Sequence, residues 1–176
     1  MNAPEKHPFI GTPVRRKEDY RFLTGNGQYT DDVTLPHQSY AYFLRSPHAH
    51  ARIRSIDIGE AKASPGVIAV LTGDDMANDK VGGLPCGWLI HSIDGTPMKE
   101  PPHPSLAHGK VRHVGDQVAL VIAESLQQAR DAAEKIDVDY EELPAVVNAG
   151  DAAASSTLVH DDVPANTCYT WGHGDK

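Results

Sequence analysis

The stretch from residue 111 to residue 147 constrains the fold most, because its patterns change from strand to helix and back to strand. Residues 117–123, Gln-Val-Ala-Leu-Val-Ile-Ala, form a short apolar run rich in β-branched side chains. Such a run is typical of a strand that is buried on both faces. Ser125 is a predicted N-cap of the helix that follows, and Gln128 completes the pattern of a capping box.

The helix and the second strand differ in the period of their apolar residues. Helical spacings of three and four place one set on a single face, namely Leu126, Ala129, Ala133 and Ile136. From Ile136 to Tyr140, apolar and acidic residues alternate, which predicts a half-buried strand that Pro144 bounds. Short links between the three elements favour a right-handed crossover between parallel strands.

A second, smaller strand–helix–strand pattern covers residues 51–71, and a predicted strand at 39–45 precedes it. The alternation slips at residues 55–56, which predicts a β-bulge there. Residues 59–63 favour a short helix, and residues 67–71 favour another buried strand. From residue 73 to residue 110 the periodicity disappears, apart from a possible short strand near residues 87–90. A stretch of this kind is usually functional or an insertion.

Composition excludes several classes of partner. The chain has 176 residues and a formal net charge of −8, which disfavours nucleic acid and anionic membranes because both require a basic surface. No apolar run approaches the roughly 20 residues that span a bilayer, and no apolar signal-peptide core is present. We therefore expect a cytoplasmic protein. Aromatic residues make up 6% of the chain, so we expect a core of Val, Ile, Leu and Ala.

His48 and His50 are the best candidates for a pair of metal ligands. If the chain is extended there, alternate residues share one face, and Arg52 and Arg54 join the two histidines on it. Two arginines would repel a cation, and spacing supplies no third ligand. The alternatives are a polar or interface face of a strand, which is the more common case, and a basic stripe that meets an acidic partner or an anion.

Other candidate chemistries are incomplete. Cys86 and His91 are the only nucleophile and base that lie close in sequence, but no activating surroundings can be argued, and a passive loop cysteine is the plainer interpretation. Three pairs of neighbouring carboxylates are predicted to serve as helix caps and solvated surface rather than as acid–base couples: 31–32, 74–75 and 141–142. The two cysteines, 86 and 168, indicate neither a disulfide framework nor a zinc site.

Several longer phrases carry a resemblance to a known family. They are RKEDYRFLTGNGQYTDD at 16–32, RSPHAHARI at 45–53, PGVIAVLT at 65–72 and the block from VRHVGD at 111–116 to LPAV at 143–146. In order and spacing they resemble the N-terminal domain of the molybdenum-binding large subunit in the xanthine dehydrogenase and aldehyde oxidase family, particularly its carbon-monoxide-dehydrogenase-like branch. Gln117 departs from the pattern, since the family often has proline there.

The resemblance implies an α/β hammerhead domain with a mixed α+β sheet. It also implies an enzyme that uses molybdenum with molybdopterin cytosine dinucleotide and hydroxylates carbon next to a carbonyl or a ring nitrogen. Its partners would be the molybdenum-binding domain of the same enzyme and subunits that carry iron–sulfur clusters and FAD. The family's molybdenum-contacting loops and catalytic glutamate lie downstream of this domain. No residue here is therefore predicted to be catalytic, cofactor-binding or metal-binding.

We expect an N-terminal arm and glycine turn at 1–34, the hammerhead domain at 35–147 and a linker toward a molybdenum-binding domain at 148–176. The glycines at 25 and 27 predict a tight turn with positive φ. The residues expected to have structural or interface roles are Arg16, Asp19, Gly25, Gly27, Asp32, Arg45, His48, His50 and Arg52. The predicted function is a scaffold that is not catalytic alone, whether as a fragment or a separately encoded piece. The alternatives are a stand-alone binding module and, last, a hydrolase using Cys86.

Overall fold

A computed structural model of the chain describes residue 11 and residues 13–174. Contacts divide the chain into two compact units, residues 1–38 and 39–176. The smaller unit contains a short helix, α1 (Asp19–Leu23), and a 3-10 turn at Thr30–Asp32. The first residues of the expected N-terminal arm, 1–10 and 12, lie outside the described residues.

The larger unit contains six strands and three helices within the described residues. The strands are β1 (Tyr40–Arg45), β2 (Ala51–Asp57), β3 (Val67–Thr72), β4 (Lys110–Val111), β5 (Gln117–Ala123) and β6 (Asp137–Glu142). The helices are α2 (Gly59–Lys62), α3 (Gly73–Asn78) and α4 (Leu126–Ala133). In the described part of the chain, no helix is long and apolar enough to cross a membrane.

The strands form two three-stranded sheets, and every pair is antiparallel. The first sheet has the order β1-β5-β3, and the second has the order β4-β2-β6. Both predicted strand–helix–strand units exist, and the mixed α/β class is confirmed. The predicted crossover between parallel strands is wrong, because β1 and β3 already occupy both edges of β5. The chain therefore passes over α4 into the second sheet, where β6 pairs with β2.

The predicted irregularity in β2 is confirmed, one residue earlier than expected. The pairing of β2 with β6 shifts between Ile53 and Ser55, so Arg54 is the extra residue. Two elements were missed, α3 and β4, both in the stretch without periodicity. The short strand considered near residues 87–90 is not formed, and only an isolated bridge joins His91 to Pro97.

The core is built from small aliphatic side chains, as the low aromatic content predicts. One cluster lies between α4 and the first sheet and includes Val121, Ala129 and Ala133. A second cluster joins Val118 to Val111 and Ala51 of the second sheet. Strand β5 therefore contributes to both clusters, which confirms its burial on two faces. Leu126 does not share the buried face of α4, since it is 40% exposed.

Candidate functional site

The predicted stripe of basic residues does not form a continuous face. His48 and His50 precede β2 instead of lying within it, and only Arg52 and Arg54 are strand residues. The Arg54 guanidinium lies 3.5 Å from Glu141, and His48 Nδ1 lies 3.4 Å from Glu142. Carboxylates of β6 therefore lie beside two of the four candidate residues. The prediction that all four share one face is wrong, because the strand begins later than the alternation suggested.

His50 closes the junction between β2 and β6. Its side chain is buried, with 7% exposed, and its Nδ1 lies 2.7 Å from the Pro144 carbonyl oxygen. Because a carbonyl only accepts, Nδ1 must carry the hydrogen. The Leu143 amide donates to the His50 carbonyl at 2.9 Å, so the two segments are joined twice. Nε2 is buried without a hydrogen-bond partner among the described residues. His50 therefore joins these two segments and is not exposed as a metal ligand.

Arg45 and Ser46 fasten the corner after β1 to the loop before β5. Arg45 Nη1 donates to the Gly115 carbonyl at 2.9 Å. The Ser46 amide donates to the Asp116 carbonyl, and the Gly115 amide donates back to the Ser46 carbonyl, each at 2.8 Å. Tyr140 lies under this corner, and burial raises the pKa of its phenol. Its ring also contacts that of His48, with centroids 4.8 Å apart.

A group of cationic side chains lies around β4. A cleft of about 330 Å³ lies among Pro101, Pro102, His103, Pro104, Ala107, Lys110, Arg112, His113, Asp116, Val159 and His160. Lys110 Nζ donates to both carboxylate oxygens of Asp161, at 2.9 and 3.0 Å. Arg112 Nε donates to the Val159 carbonyl at 3.2 Å. This grouping was not predicted, because about fifty residues separate Lys110 and Arg112 from the segment that they contact.

The charges of this cleft largely balance. Hydrogen bonding from Lys110, followed by the charges of Lys110, Arg112 and Arg52, lowers the pKa of Asp161. Burial, followed by the charge of Arg112, lowers the pKa of His160. The carboxylate of Asp161 therefore stays ionised and the imidazole of His160 tends to be neutral. Arg52, one of the predicted interface residues, contributes to this field from the neighbouring strand position, opposite Lys110.

Four of the five predicted residues of the smaller unit, all except Gly27, take part in local turns. The Asp19 carboxylate accepts from the Arg16 amide at 3.1 Å, and that of Asp32 accepts from the Tyr29 amide at 2.9 Å. Gly25 has a φ of +73°, so the turn predicted there is confirmed. The prediction of a positive φ is wrong for Gly27, where a Cβ would instead meet the Phe22 ring at 2.5 Å.

Metal ligands are not assembled into a site in the part of the chain that the structure describes. No group of three or more His, Cys, Asp or Glu residues there could hold a metal ion. Cys86 is exposed, and its Sγ contacts the Trp88 carbonyl at 3.3 Å. The carboxylate at position 75 caps α3 through the backbone and hydroxyl of Thr72, at 2.7 and 2.9 Å. Helix capping is one of the two roles predicted for the neighbouring carboxylates at 74–75.

The family is identified by a similarity that extends over most of the chain. Residues 24–144 match the aldehyde oxidase and xanthine dehydrogenase a/b hammerhead domain. The chain belongs to this family. The two antiparallel sheets joined by α2 and α4 are therefore this chain's version of the hammerhead fold, and the predicted resemblance is confirmed.

Relatives of the hammerhead chain are much longer than it is. The carbon monoxide dehydrogenase large chain of Afipia carboxidovorans is 37% identical over 98% of this chain, which spans 22% of that protein. The nicotine 6-hydroxylase large subunit of Paenarthrobacter nicotinovorans is 35% identical over 94% of this chain and 20% of its own length. Both relatives are large chains or subunits, and this chain spans only about a fifth of each.

Solved structures agree with this assignment. Quinoline 2-oxidoreductase from Pseudomonas putida 86 has a TM-score of 0.74 and 42% identity, covering 88% of this chain and 19% of that one. A Cu,Mo-CO dehydrogenase has a TM-score of 0.66 and 40% identity, covering 81% of this chain and 17% of that one. The hammerhead domain thus occurs within molybdenum-containing oxidoreductases.

Proposed function

We propose that this chain is the N-terminal hammerhead scaffold of the large subunit of a molybdenum hydroxylase and is not catalytic alone. One observation carries the proposal: 98% of the chain aligns with a carbon monoxide dehydrogenase large chain at 37% identity, yet it spans 22% of that protein. The proposed divisions are an arm and glycine turn at 1–34, the hammerhead domain at 35–147 and a linker at 148–176. A cytoplasmic location is part of the proposal.

The described residues do not fit the cofactor that the family implies. They contain no group of three or more metal-ligating side chains. The two cations that line the cleft around β4 are engaged, Lys110 by Asp161 and Arg112 by the Val159 carbonyl. A pyrophosphate group would have to displace both contacts. We therefore place molybdenum and molybdopterin, as its cytosine dinucleotide, on the rest of the large subunit.

The proposed contribution of this chain is structural. The corner fastened by Arg45 and the junction closed by His50 fix the ends of β1, β2 and β6, so surfaces presented to the rest of the enzyme keep one shape. Residues expected to act through such positioning are Arg16, Asp19, Gly25, Gly27, Asp32, Arg45, His48, His50 and Arg52. The hydroxylation of carbon next to a carbonyl or ring nitrogen, and electron transfer through iron–sulfur and FAD subunits, belong to the complete enzyme.

Affinity purification with metal analysis tests the proposal. The tagged chain is produced once alone and once together with the remaining large-subunit polypeptide and the proposed iron–sulfur and flavin subunits. Alone, it is expected to carry no stoichiometric molybdenum and to oxidise no aldehyde. Produced together, it is expected to retain molybdenum-containing polypeptide through size-exclusion chromatography. Stoichiometric molybdenum or pterin on the isolated chain would overturn the proposal.

The same experiment separates the scaffold from a stand-alone binding module built on the hammerhead fold. A scaffold requires the other polypeptides and elutes with them. A stand-alone module would elute at the position of the isolated chain in both preparations. That outcome, with the isolated chain folded by circular dichroism, would replace the scaffold proposal with the module.

A further inference from the structure

Residues 84–103 form an irregular hairpin without regular strands. The Leu84 amide donates to the His103 carbonyl at 2.8 Å, and the Met98 amide donates to the Ile90 carbonyl at 3.0 Å. Nearer the tip, the Ser92 amide donates to the Thr96 carbonyl at 2.7 Å. The hairpin therefore has a defined shape in a stretch where the sequence shows no periodicity.

A segment near the C-terminal end of the described chain pairs with this hairpin. The Lys99 amide donates to the Cys168 carbonyl at 2.9 Å, and the Ile93 amide donates to the Thr170 carbonyl at 2.8 Å. The Thr170 amide donates to Ser92 Oγ at 3.2 Å. We call residues 84–103 and 168–171 together the hairpin–tail unit. Backbone hydrogen bonds and the Ser92 hydroxyl join the two segments.

Six large apolar side chains of the hairpin–tail unit are exposed to solvent. Those that are at least 45% exposed are Leu84 (61%), Trp88 (79%), Leu89 (60%), Ile93 (55%), Tyr169 (45%) and Trp171 (67%). They include both tryptophans of the chain. The two indoles alone expose about 350 Å² of surface, given that a buried tryptophan covers up to about 250 Å². The largest exposed apolar patch of a typical monomer measures about 300–600 Å² and is often functional.

Charge is also depleted here. Residues 84–103 and 168–171 contain three charged side chains in 24 residues, Asp94, Lys99 and Glu100, whereas 23% of the whole chain is charged. Exposed aromatic groups combined with few charges are the composition of the buried centre of an interface. Transient interfaces are more polar, so this composition favours a permanent partner.

We propose that the hairpin–tail unit is the surface on which the remaining polypeptide of the same large subunit packs. This inference rests on the proposed function. The partner is inferred from the relatives, which are about five times as long as this chain and are single chains or subunits. The rest of such a polypeptide could cover the hairpin–tail unit permanently. The tryptophan-bearing face, which carries few charges, matches a covering within one polypeptide better than a contact that forms and dissociates.

Thiol labelling measures whether the surface is covered. Cys86 is exposed and lies two residues from Trp88, so N-ethylmaleimide followed by peptide mass spectrometry reports access to the hairpin. The chain is labelled alone, with the remaining large-subunit polypeptide, and with the iron–sulfur and flavin subunits added. We expect labelling of Cys86 to slow by about tenfold or more once the large-subunit polypeptide is present, because thiol reactivity follows exposure.

A matched pair of variants tests the contact itself. Leu89→Asp places a charge on the hairpin, and Ile68→Asp places the same charge on β3, at nearly equal exposure, 60% and 61%. We expect Leu89→Asp to lower the recovery of large-subunit polypeptide by about fivefold or more, as loss of a central interface residue does. Ile68→Asp is expected to leave recovery within about twofold. Circular dichroism of both variants confirms folding.

The outcomes separate this inference from the proposed function. Failure to associate with any molybdenum-containing polypeptide overturns the proposed function. Association with unchanged labelling of Cys86, or equal effects of Leu89→Asp and Ile68→Asp, overturns the docking surface alone. Protection of Cys86 only when the iron–sulfur or flavin subunit is added overturns the assignment to the large subunit.

Discussion

Gly73 begins α3 where the chain leaves the first sheet, and it is buried. An added Cβ would lie 2.8 Å from the Ala107 carbonyl carbon, 3.0 Å from His108 Cα and closer still to the Ala107 oxygen. These are backbone atoms of another segment, so side-chain rotation cannot relieve the overlap. We expect Gly73→Ala to lower the free energy of unfolding by about 1–3 kcal/mol, the cost of overpacking. The melting temperature should fall by about 2–12 °C.

Gly59 provides a matched control, because it is also the first residue of a short helix, α2. A Cβ there would meet only the Asp57 side chain, at 3.2 Å. Alanine restricts the unfolded chain similarly at both positions, so this contribution cancels in the comparison. Gly59→Ala is expected to stay within about 1 kcal/mol of the parent. Urea unfolding followed by circular dichroism measures both variants. Equal free energies of unfolding would refute the steric argument.

Three further changes test single contacts. His50→Ala removes the hydrogen bond to the Pro144 carbonyl and should lower the free energy of unfolding by about 1–2 kcal/mol in urea titrations. Ser125→Ala removes the oxygen that accepts from the Gln128 amide at 3.3 Å and should cost about 1 kcal/mol, whereas Ser125→Gly should cost a few tenths. Hydrogen bonds from Thr72 lower the pKa of Asp75, so its stabilisation is present above the unfolded pKa and is lost as pH falls through the folded one. Asp75→Asn should flatten this acid dependence of the melting temperature.

Features set by neighbouring residues could be predicted from the sequence. The apolar run of β5, the cap at Ser125 and the alternation of β6 are local patterns, and each appears where expected. The bulge at Arg54 was also visible, because an extra residue shifts the alternation of its own strand. Helix α3 was missed although Thr72 and Asp75 have the spacing of a capping box. That signal was present but lacked an apolar face to support it.

Features set by distant residues could not be predicted. The sequence of residues 117–142 contains no signal that β1 and β3 occupy both edges of β5. The local pattern therefore predicted a parallel crossover, and this prediction was wrong. The pairing of Lys110 with Asp161 joins segments about fifty residues apart. His48 and His50 were placed on a strand by alternation, but bends before β2 turn His50 into the core. Tertiary contacts decided each of these cases.

The use of polar side chains inside the larger unit explains why a long similarity, rather than a site, identified the family. His50 and Arg112 both direct ring or guanidinium nitrogens at backbone carbonyls, and Arg45 does the same at the corner after β1. Asp75 directs its carboxylate at the backbone of Thr72. Side chains that bind their own backbone are not available to bind substrate, but their loss would displace strand ends. These residues act through the shape of the backbone, which agrees with the scaffold role proposed above.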